Sequence, residues 1–439
     1  MAPTDSVAGA EHAGSMGDTD SIGPDPVLLR GLVGRRMGRR DLFRAAGLGA
    51  GAVGIGAFLS ACGVAGQGGG GKTVSQSAVE KFWKGKKKTG QVDFANWPLY
   101  IDVSSKNNSD HPTLDAFTKQ TGIKVNYYEV IQDDGPFFAK VQPSLSAGQY
   151  SGYDMAVITN GIYLDKFREL GYLVPLDHSK LPNFKKYAAA KYKNPSYDPN
   201  NTYTIPWQSG FTGIGYDPDK VGGEINSWSD LLNPKFKGKI GMFGDNEDLP
   251  NAALLAIGVD PATSTEKDWK KAAKWLEKQK PLVRKYYTQE YITALAHGDI
   301  WISQAWSGDI FQQNLSGSNL KFVFPKEGYP LWTDNMLILK HTKHPVDAIM
   351  LMDYYYEPKV AGALAEYVNY VSPVPDAQQV VKQDAAKAKG DNAKYLRSVA
   401  TSSAVFPGQS VYQKAHRYRV LSNKELATWN SIFEPIYQS

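Results

Sequence analysis

The chain has 439 residues, of which 21% are charged, and its formal net charge at pH 7 is +5. A small excess of positive charge spread over this length argues against a nucleic-acid-binding protein, in which basic residues cluster on one face. The chain contains a single cysteine, Cys62, so an intrachain disulfide is excluded. About 375 residues follow that cysteine, which is enough for two packed lobes.

The first 61 residues have the layout of an export signal. The pair Arg39-Arg40 precedes an apolar run over residues 45–61, and the run ends at Leu-Ser-Ala before Cys62. A basic segment, an apolar segment and small residues before a cleavage point are typical of signal peptides. The arginine pair resembles a twin-arginine export signal, and Leu-Ser-Ala-Cys resembles a bacterial lipobox, which implies cleavage before Cys62 and a thioether-linked lipid on its sulfur. The alternative is a single membrane-spanning helix, but glycines interrupt the run and a span needs ~20 strongly apolar residues.

Residues 62–90 are predicted to be a flexible linker between the lipid anchor and the folded part. The segment is glycine-rich and then lysine-rich, and such a composition cannot bury a core. Residues 66–73 match the phosphate-loop pattern G-x4-G-K-[ST], but a true phosphate loop follows a buried strand and begins a helix. We therefore expect no nucleotide or other cofactor, and we expect the lysines within residues 84–88 to lie near anionic lipid headgroups.

From residue 91 onward, short strands alternate with amphipathic helices. Strands are predicted over residues 92–96, 123–130, 153–158, 210–216, 238–242, 281–283, 300–305 and 336–339. Helices are predicted over residues 112–121, 137–147, 160–170, 228–232, 287–296 and 346–355, from residues 250 and 264, and over most of residues 375–437. This alternation indicates an α/β protein with a mostly parallel sheet that helices cover on both faces.

Four stretches of this part resemble the spermidine/putrescine-binding proteins of bacterial ABC importers. They are FANWPLY (94–100), YDMAVITNGIYLDKFRELGYLVPLD (153–177), YTIPWQSGFTGIGYD (203–217) and LWTDNMLIL (331–339). The resemblance implies a two-lobed α/β fold of the periplasmic-binding-protein-like (type II) class, with a hinge and a central ligand cleft. It places lobe 1 at residues 91–209 and 332–375, and lobe 2 at residues 210–331 and 376–439.

The chemistry of such a ligand explains which side chains its receptor needs. A polyamine is a chain of methylene groups that carries ammonium groups, so the receptor must replace water around each charge and cover the apolar spacers. Carboxylates bind ammonium groups through charge-assisted hydrogen bonds. The faces of Tyr and Trp cover the methylene groups and attract the cations, each contact contributing about 0.5–2 kcal/mol.

Nine residues are the candidate ligand-binding residues, because they stand at positions that the resemblance assigns to the ligand cleft. They are Trp97, Tyr100, Asn160, Asp245, Asp248, Trp306, Trp332, Asp334 and Tyr370. Trp97 and Tyr100 belong to the motif N-W-x-x-Y at the end of the first strand, where ligands of open α/β sheets bind. Trp332 and Asp334 belong to the motif W-x-D, and their spacing puts both side chains on one face of a strand.

Other interpretations of these positions stay open. The aromatic residues of the first motif stand beside a proline and could simply pack a turn. Asp245 and Asp248 precede a predicted helix, so either could be its N-cap. One acid of this cluster must cap the helix, and Glu247 is the spare acid. Asp309 could be a further acid of the site.

One departure from the family pattern affects the ligand. Where the polyamine receptors typically carry Ser-x-Tyr, this chain has Asn160 and Ile162, so one hydroxyl and one ring are missing. Trp207 or Tyr163 could compensate for them. The resemblance therefore leaves the length and the identity of the amine open.

An enzymatic function finds little support in the sequence. The chain lacks the nucleophile elbow G-x-S-x-G and the motif H-E-x-x-H, and its only cysteine belongs to the lipobox. Residues 341–344 have the spacing H-x-x-H but are interpreted as a solvated turn, and Asp133-Asp134 resembles paired glycosidase carboxylates only loosely. We expect no catalytic residue and no metal site. The alternatives are a receptor for another small cation or a sugar and, with less support, a secreted lipid-anchored hydrolase.

The sequence therefore predicts a lipid-anchored receptor on the extracytoplasmic face of the cell membrane. We expect a monomer that captures a polyamine of the putrescine or spermidine class between closing lobes and delivers it to an ABC permease. Its partners would be the polyamine, the permease subunits and, through the lipid on Cys62, the membrane, but no nucleic acid.

Overall fold

The computed structural model describes residues 74–104, 107 and 109–438 of the chain. The predicted export signal, Cys62 and the phosphate-loop pattern lie outside these residues. Among the helices of the described part, none combines the length and the apolar character needed to cross a membrane.

The described residues alternate strands and helices, as the sequence predicts. The strands are β1 (Gln91–Asn96), β2 (Lys124–Glu129), β3 (Met155–Thr159), β4 (Thr204–Tyr216), β5 (Ile240–Phe243), β6 (Val283–Tyr287), β7 (Ile302–Trp306), β8 (Lys321–Val323), β9 (Tyr329–Ile338) and β10 (Ala415–His416). The α-helices are α1 (Gln76–Trp83), α2 (Pro112–Thr121), α3 (Asp134–Ser146), α4 (Ile162–Glu169), α5 (Pro182–Tyr187), α6 (Pro218–Val221), α7 (Asp248–Ala256), α8 (Glu266–Gln279), α9 (Tyr291–Ala296), α10 (Ser307–Leu315), α11 (Pro345–Tyr354), α12 (Pro358–Val368), α13 (Ala377–Lys387), α14 (Gly390–Thr401), α15 (Gln409–Tyr412) and α16 (Asn423–Tyr437). Short 3-10 helices occur at His178–Lys180, Ala190–Tyr192, Pro199–Asn201, Trp228–Leu232, Pro234–Phe236, Pro261–Thr263 and Lys280–Leu282.

The strands are joined by hydrogen bonds in the order β2-β1-β3-β9-β4-β7-β5-β6, with β10 beside β9 and β8 beside β4. β1 is parallel to β2 and β3, and β5 is parallel to β6 and β7. The central strands are antiparallel, because β9 pairs with β3 on one side and β4 on the other, and β4 pairs in turn with β7. Two parallel α/β units are therefore joined through β4 and β9.

The long strands β4 and β9 run from one unit into the other. Residues 204–211 of β4 pair with β9, whereas residues 212–216 pair with β7. Both strands are longer than the predicted strands 210–216 and 336–339. Every residue of β4 and β9 is buried, so polar residues such as Thr333 and Asn335 lie inside and the alternation that marks a half-exposed strand is absent.

Two hydrophobic cores define two lobes. Phe94 and Met336 lie in the main core of lobe 1, and Met242 and Leu276 lie in the main core of lobe 2. The chain passes from one lobe to the other in β4 and in β9, and it does so a third time between residues 405 and 411. Residue 405 belongs to the lobe 1 core, whereas residue 411 packs against the lobe 2 core. The lobes are thus connected by three segments of chain.

The C-terminal helices are divided between the lobes, which corrects the predicted assignment of residues 376–439 to lobe 2. Helices α13 and α14 pack beside α12, and Val381 and Leu396 belong to the lobe 1 core. Gly362 of α12 permits this close approach, since a Cβ there would lie 2.7 Å from Val380. Helix α16 instead packs in lobe 2, through Trp429. Helical periodicity in the sequence does not reveal which lobe a helix covers.

The prediction of a flexible linker is wrong for residues 76–90. Residues 76–83 form α1, and its buried Trp83 donates an indole hydrogen bond to the carbonyl of Pro175 at 2.9 Å. The buried carboxylate of Asp347 accepts the backbone N–H groups of Thr89 and Gly90 at 2.9 and 2.8 Å. A few anchoring contacts therefore fix this segment to lobe 1 despite its hydrophilic composition.

Candidate ligand-binding site

The candidate site lies where the two lobes meet, beside β9. Trp332 and Asp334 alternate along β9, as the sequence predicts. The buried carboxylate of Asp334 accepts hydrogen bonds from the hydroxyl groups of Tyr100, at 2.5 Å, and Thr159, at 2.7 Å. Three elements of lobe 1, the loop after β1, the end of β3 and β9, thus converge on one carboxylate.

Aromatic rings lie next to this carboxylate. The ring of Tyr370 lies edge-to-face with Trp332 at 5.2 Å and with Tyr100 at 6.0 Å between centroids. Gly210 allows the Trp332 ring to lie against β4, because a Cβ at that glycine would come within 2.2 Å of the ring. Trp207 lies 6.4 Å from Tyr100 and is buried in the lobe 1 core, so it supports the site from behind.

Lobe 2 contributes acids at the start of α7. The Oδ1 atom of Asp245 accepts the backbone N–H groups of residues 247 and 248 at 2.9 and 2.6 Å, so Asp245 caps the first turn from two residues before the N-cap position, which Glu247 occupies. Asp248 instead accepts three side-chain hydrogen bonds, from the hydroxyl groups of Thr212 and Tyr418 at 2.6 Å each and from the indole of Trp306 at 2.8 Å. The predicted residues Asp248 and Trp306 are therefore in direct contact.

Asp309, which the sequence suggests as a further acid, lies on the Tyr370 side of the site. Its carboxylate accepts hydrogen bonds from the hydroxyl groups of Tyr291, at 2.9 Å, and Tyr370, at 2.8 Å. The neighbouring Gly308 makes room for Tyr370, since a Cβ there would lie 2.6 Å from the ring. A lobe 2 carboxylate thus holds a ring that packs against lobe 1.

Glu247, the spare acid of the sequence, connects the lobes directly. Its Oε1 atom accepts the backbone N–H of Ile162, the first residue of α4, at 2.8 Å. The positive end of a helix dipole favours a carboxylate at this position. Gly161 permits the contact, because a Cβ there would lie 1.8 Å from Oε1, and its φ of 146° suits only glycine.

Two of the predicted ligand-binding residues, Asn160 and Trp97, form hydrogen bonds within the protein through their polar groups. The Oδ1 atom of Asn160 accepts the backbone N–H of Thr333 at 2.5 Å, and the backbone N–H of Asn160 donates to the carbonyl of Thr333 at 2.8 Å. These two hydrogen bonds hold the end of β3 against β9. The indole of Trp97 donates to the carbonyl of Val157 at 3.0 Å. The ligand-binding roles of both residues stay predictions, and that of Trp97 would involve the face of its half-buried ring.

Acids from the two lobes face each other across the site. Burial raises the pKa of Asp334 to about 6 and that of Glu247 to about 8, and it also raises the pKa of Asp248. Nearby charge adds to the effect, since Asp248 raises the pKa of Asp334. Among the described residues, no Lys or Arg forms an ion pair with Asp248, Asp334 or Glu247. Buried carboxylates without a counter-charge are unfavourable, so this arrangement suits a cationic ligand.

Sequence reasoning missed one acid of this group, Asp134. Its side chain is 7% exposed, and Oδ2 accepts the backbone N–H of Thr159 at 3.3 Å. Burial, followed by the charges of Glu247 and Asp334, raises its pKa well above the usual range. A signal was present, because Asp134 follows the second predicted strand and the carboxyl ends of parallel strands face the ligand crevice.

The H-x-x-H segment is a turn in which His341 and Lys343 are exposed, as the sequence predicts, but its second histidine is not fully solvated. His344 is half-buried, and its Nδ1 atom lies 2.6 Å from the hydroxyl of Thr89. His344, Asp93 and Asp154 offer ligand atoms within 4.8 Å of one another. The carboxylate of Asp154, however, accepts the hydroxyl of Thr342 at 2.7 Å and the N–H of Asp93 at 2.8 Å. We interpret the group as a hydrogen-bonded structural cluster.

Comparison with known proteins identifies the class to which this fold and site belong. Residues 151–395, more than half of the chain, match the family of bacterial extracellular solute-binding proteins. The chain belongs to this family of solute-binding proteins.

Relatives with established names are polyamine receptors. The spermidine/putrescine-binding periplasmic protein of Escherichia coli K12 is 29% identical over 330 residues, which cover 73% of this chain and 90% of that protein. The putrescine/agmatine-binding protein of Pseudomonas aeruginosa is 28% identical over 365 residues, which cover 79% of this chain and 94% of that protein.

Solved structures share the fold. The spermidine/putrescine ABC transporter substrate-binding protein PotD of Streptococcus pneumoniae matches with a TM-score of 0.66 and 24% identity, over 80% of this chain and 99% of that one. The TpPotD lipoprotein of Treponema pallidum matches with a TM-score of 0.64 and 18% identity, over 80% of this chain and 100% of that one. These matches confirm the predicted two-lobed α/β fold of type II.

Proposed function

We propose that this protein is the solute receptor of an ABC importer and captures a polyamine of the putrescine or spermidine class between its lobes. The observation that carries the proposal is a set of carboxylates, the buried Asp334 from lobe 1 and the buried Asp248 and half-buried Glu247 from lobe 2, without a Lys or Arg ion pair among the described residues. The names of the relatives from Escherichia coli and Pseudomonas aeruginosa support the same ligand class.

A polyamine fits the chemistry of these side chains. Its ammonium groups would form charge-assisted hydrogen bonds with Asp334 and Asp248, and its methylene groups would lie against Trp306, Trp332 and Tyr370. A neutral sugar would leave the carboxylates without a counter-charge, which disfavours the sugar alternative. The acids bind the ligand and catalyse no reaction in this proposal, so a hydrolase is also disfavoured.

The same acids explain how the ligand would close the cleft. Without a cation, the carboxylates of the two lobes repel each other and lose their hydration when the lobes meet. A bound polyamine removes both penalties, so it shifts the equilibrium between open and closed forms toward the closed form. The permease would then recognise the closed monomer, in which Glu247 contacts α4.

Isothermal titration calorimetry tests the ligand class. The purified protein should bind putrescine or spermidine with a Kd in the micromolar range or below, and a neutral disaccharide at the same concentration should give no binding heat. Sugar binding without a response to any amine would refute the proposal, as would a folded protein that binds none of these ligands.

We further propose that residues 1–61 direct twin-arginine export and that a lipid on Cys62 holds the protein at the extracytoplasmic face of the membrane. The lipobox pattern and the extracellular location of the family support this anchor. Replacing Cys62 with Ser should move the exported protein from the membrane fraction to the soluble fraction. The exposed Ser77→Ala variant is the control and should stay with the membranes. A Cys62→Ser protein that remains membrane-bound would contradict the lipid anchor.

A further inference from the structure

The proposed polyamine function leaves one buried acid without a role, and this inference rests on that function. We propose that Asp134 and Glu247 form a separate ammonium subsite, beside the positions of Asp334 and Asp248, and that the preferred ligand carries three ammonium groups. Asp334 and Asp248 belong to different lobes and have separate hydrogen-bond donors, so each can serve one ammonium group. A third position then accommodates a triamine.

The first observation is the incomplete hydrogen bonding of Asp134. Its Oδ2 atom accepts the N–H of Thr159, but its Oδ1 atom is buried and has no hydrogen-bond partner among the described residues. The whole side chain is only 7% exposed. A buried carboxylate oxygen without a donor is unfavourable, and an ammonium group would supply up to three donors.

The second observation is the acid on the opposite lobe. Backbone N–H groups of one short segment bind both acids, since Thr159 donates to Asp134 and Ile162 donates to Glu247. The charge of Glu247 also raises the pKa of Asp134, and it does so more than the charge of Asp334. The N–H of Ile162 holds the Glu247 carboxylate in place at 2.8 Å. Asp134 of lobe 1 and Glu247 of lobe 2 therefore repeat, beside the first pair, the facing arrangement of Asp334 and Asp248.

Thr159 makes the two positions adjacent but distinct. Its backbone N–H binds Asp134, whereas its hydroxyl binds Asp334 at 2.7 Å. One residue thus separates the two lobe 1 carboxylates, so a single extended ligand can reach both. A second ligand molecule is not required.

Tyr163 provides the aromatic side of this subsite. Its hydroxyl lies beside the start of α3, since a Cβ at Gly135 would come within 2.6 Å of it. Burial and then the charges of Asp133, Glu247 and Asp134 raise the pKa of Tyr163. Lys166 lies 4.7 Å from the centre of this ring, and burial lowers the pKa of Lys166 while the charge of Glu247 opposes that shift. Tyr163 therefore occupies the role that Ile162 leaves unfilled.

Paired charge-removing variants at the start of α3 test the subsite. Asp134→Asn keeps the shape of the side chain and can still accept the Thr159 N–H, whereas Asp133→Asn removes the same charge from the exposed neighbour. Titration of the purified full-length protein should show that Asp134→Asn weakens spermidine binding by at least ~10-fold and putrescine binding by less than ~3-fold. Asp133→Asn should change neither affinity by more than ~2-fold.

The possible outcomes distinguish a failure of the third subsite from a failure of the proposed polyamine-binding function. Unchanged spermidine affinity in Asp134→Asn, or equal weakening of both amines, would overturn the third subsite and leave the polyamine function standing. A wild-type protein that binds neither amine would overturn both. If Asp134→Asn fails to fold, Glu247→Gln replaces it and should show the same selective loss of spermidine affinity. If Glu247→Gln binds both amines as tightly as the wild-type protein does, the subsite is again refuted.

Discussion

Replacing Asp334 with Asn should lower the affinity for the preferred polyamine by about 100-fold. Asn has the same shape, its one carbonyl oxygen can accept the hydroxyl of Tyr100 or of Thr159 and its amide can donate to the other hydroxyl, but it lacks the charge that an ammonium group needs. Removing one member of a buried, hydrogen-bonded charge pair costs about 2–5 kcal/mol of binding free energy, and 2.7 kcal/mol corresponds to about 100-fold. Calorimetric titration of the variant and the wild-type protein at pH 8 measures the difference.

The control for this variant is Asp115→Asn, which removes the same charge from the exposed face of α2 and should leave the affinity unchanged. Thermal unfolding without ligand shows whether each variant is folded. Asp334→Asn should be at least as stable as the wild-type protein at pH 8, because it removes a buried charge that forms no ion pair with a Lys or Arg of the described residues. Equal polyamine affinities in the two variants would eliminate Asp334 as an ammonium ligand.

Local signals in the sequence predicted individual elements well. Helix α2 has the predicted limits of residues 112 and 121, because Pro112 fits the first turn and Gly122 ends the helix with φ 72°. The same reasoning predicted too short a strand for β9, because Thr333 and Asn335 are polar but buried. It also placed α13 and α14 in the wrong lobe, because tertiary packing decides which core an amphipathic helix covers.

The site was predictable where its geometry follows from sequence spacing. Trp332 and Asp334 are two residues apart on a strand, so the sequence already put them on one face. Asp134, Glu247 and Tyr418 could not be brought together in this way, because their positions depend on how the lobes meet and how the C-terminal segment returns to the cleft. The cap at Asp245 shows the same limit, since spacing allowed either acid to take that role.

Spermidine affinity should increase steeply with pH between 5 and 8. Burial raises the pKa of Glu247 to about 8 and that of Asp334 to about 6, whereas an ammonium ligand requires both carboxylates to be charged. Binding therefore releases protons, and each released proton makes the association constant rise about tenfold per pH unit. We expect a slope of at least one in log affinity between pH 6 and 8 and of at least two below pH 6, because Asp134 and Asp248, whose pKa values are also raised, can add further proton release.

The ligand-free protein should show the opposite trend in stability. The folded-state pKa of Glu247, about 8, lies above the ordinary value of 4.5, so the folded form binds more protons than the unfolded chain between these pH values. Its contribution to stability is present below pH 4.5 and is lost as the pH rises through about 8. Thermal unfolding from pH 5 to 8 should therefore give a falling Tm without ligand and a growing increase in Tm with spermidine.

Glu247→Gln provides the control for the pH dependence. This variant should lower the slope of log spermidine affinity between pH 6 and 8 by about one and leave the pH dependence that comes from Asp334 below pH 6. A wild-type affinity that does not change with pH would show that polyamine binding is not linked to protonation of these acids.

The structure of the protein crystallised with spermidine tests the central claim most directly. We expect ammonium nitrogens within hydrogen-bond distance, about 2.7–3.1 Å, of the carboxylates of Asp248 and Asp334, with the methylene chain against Trp306 and Trp332. Spermidine bound elsewhere, with the carboxylates of the closed cleft still free of any cation, would contradict the account.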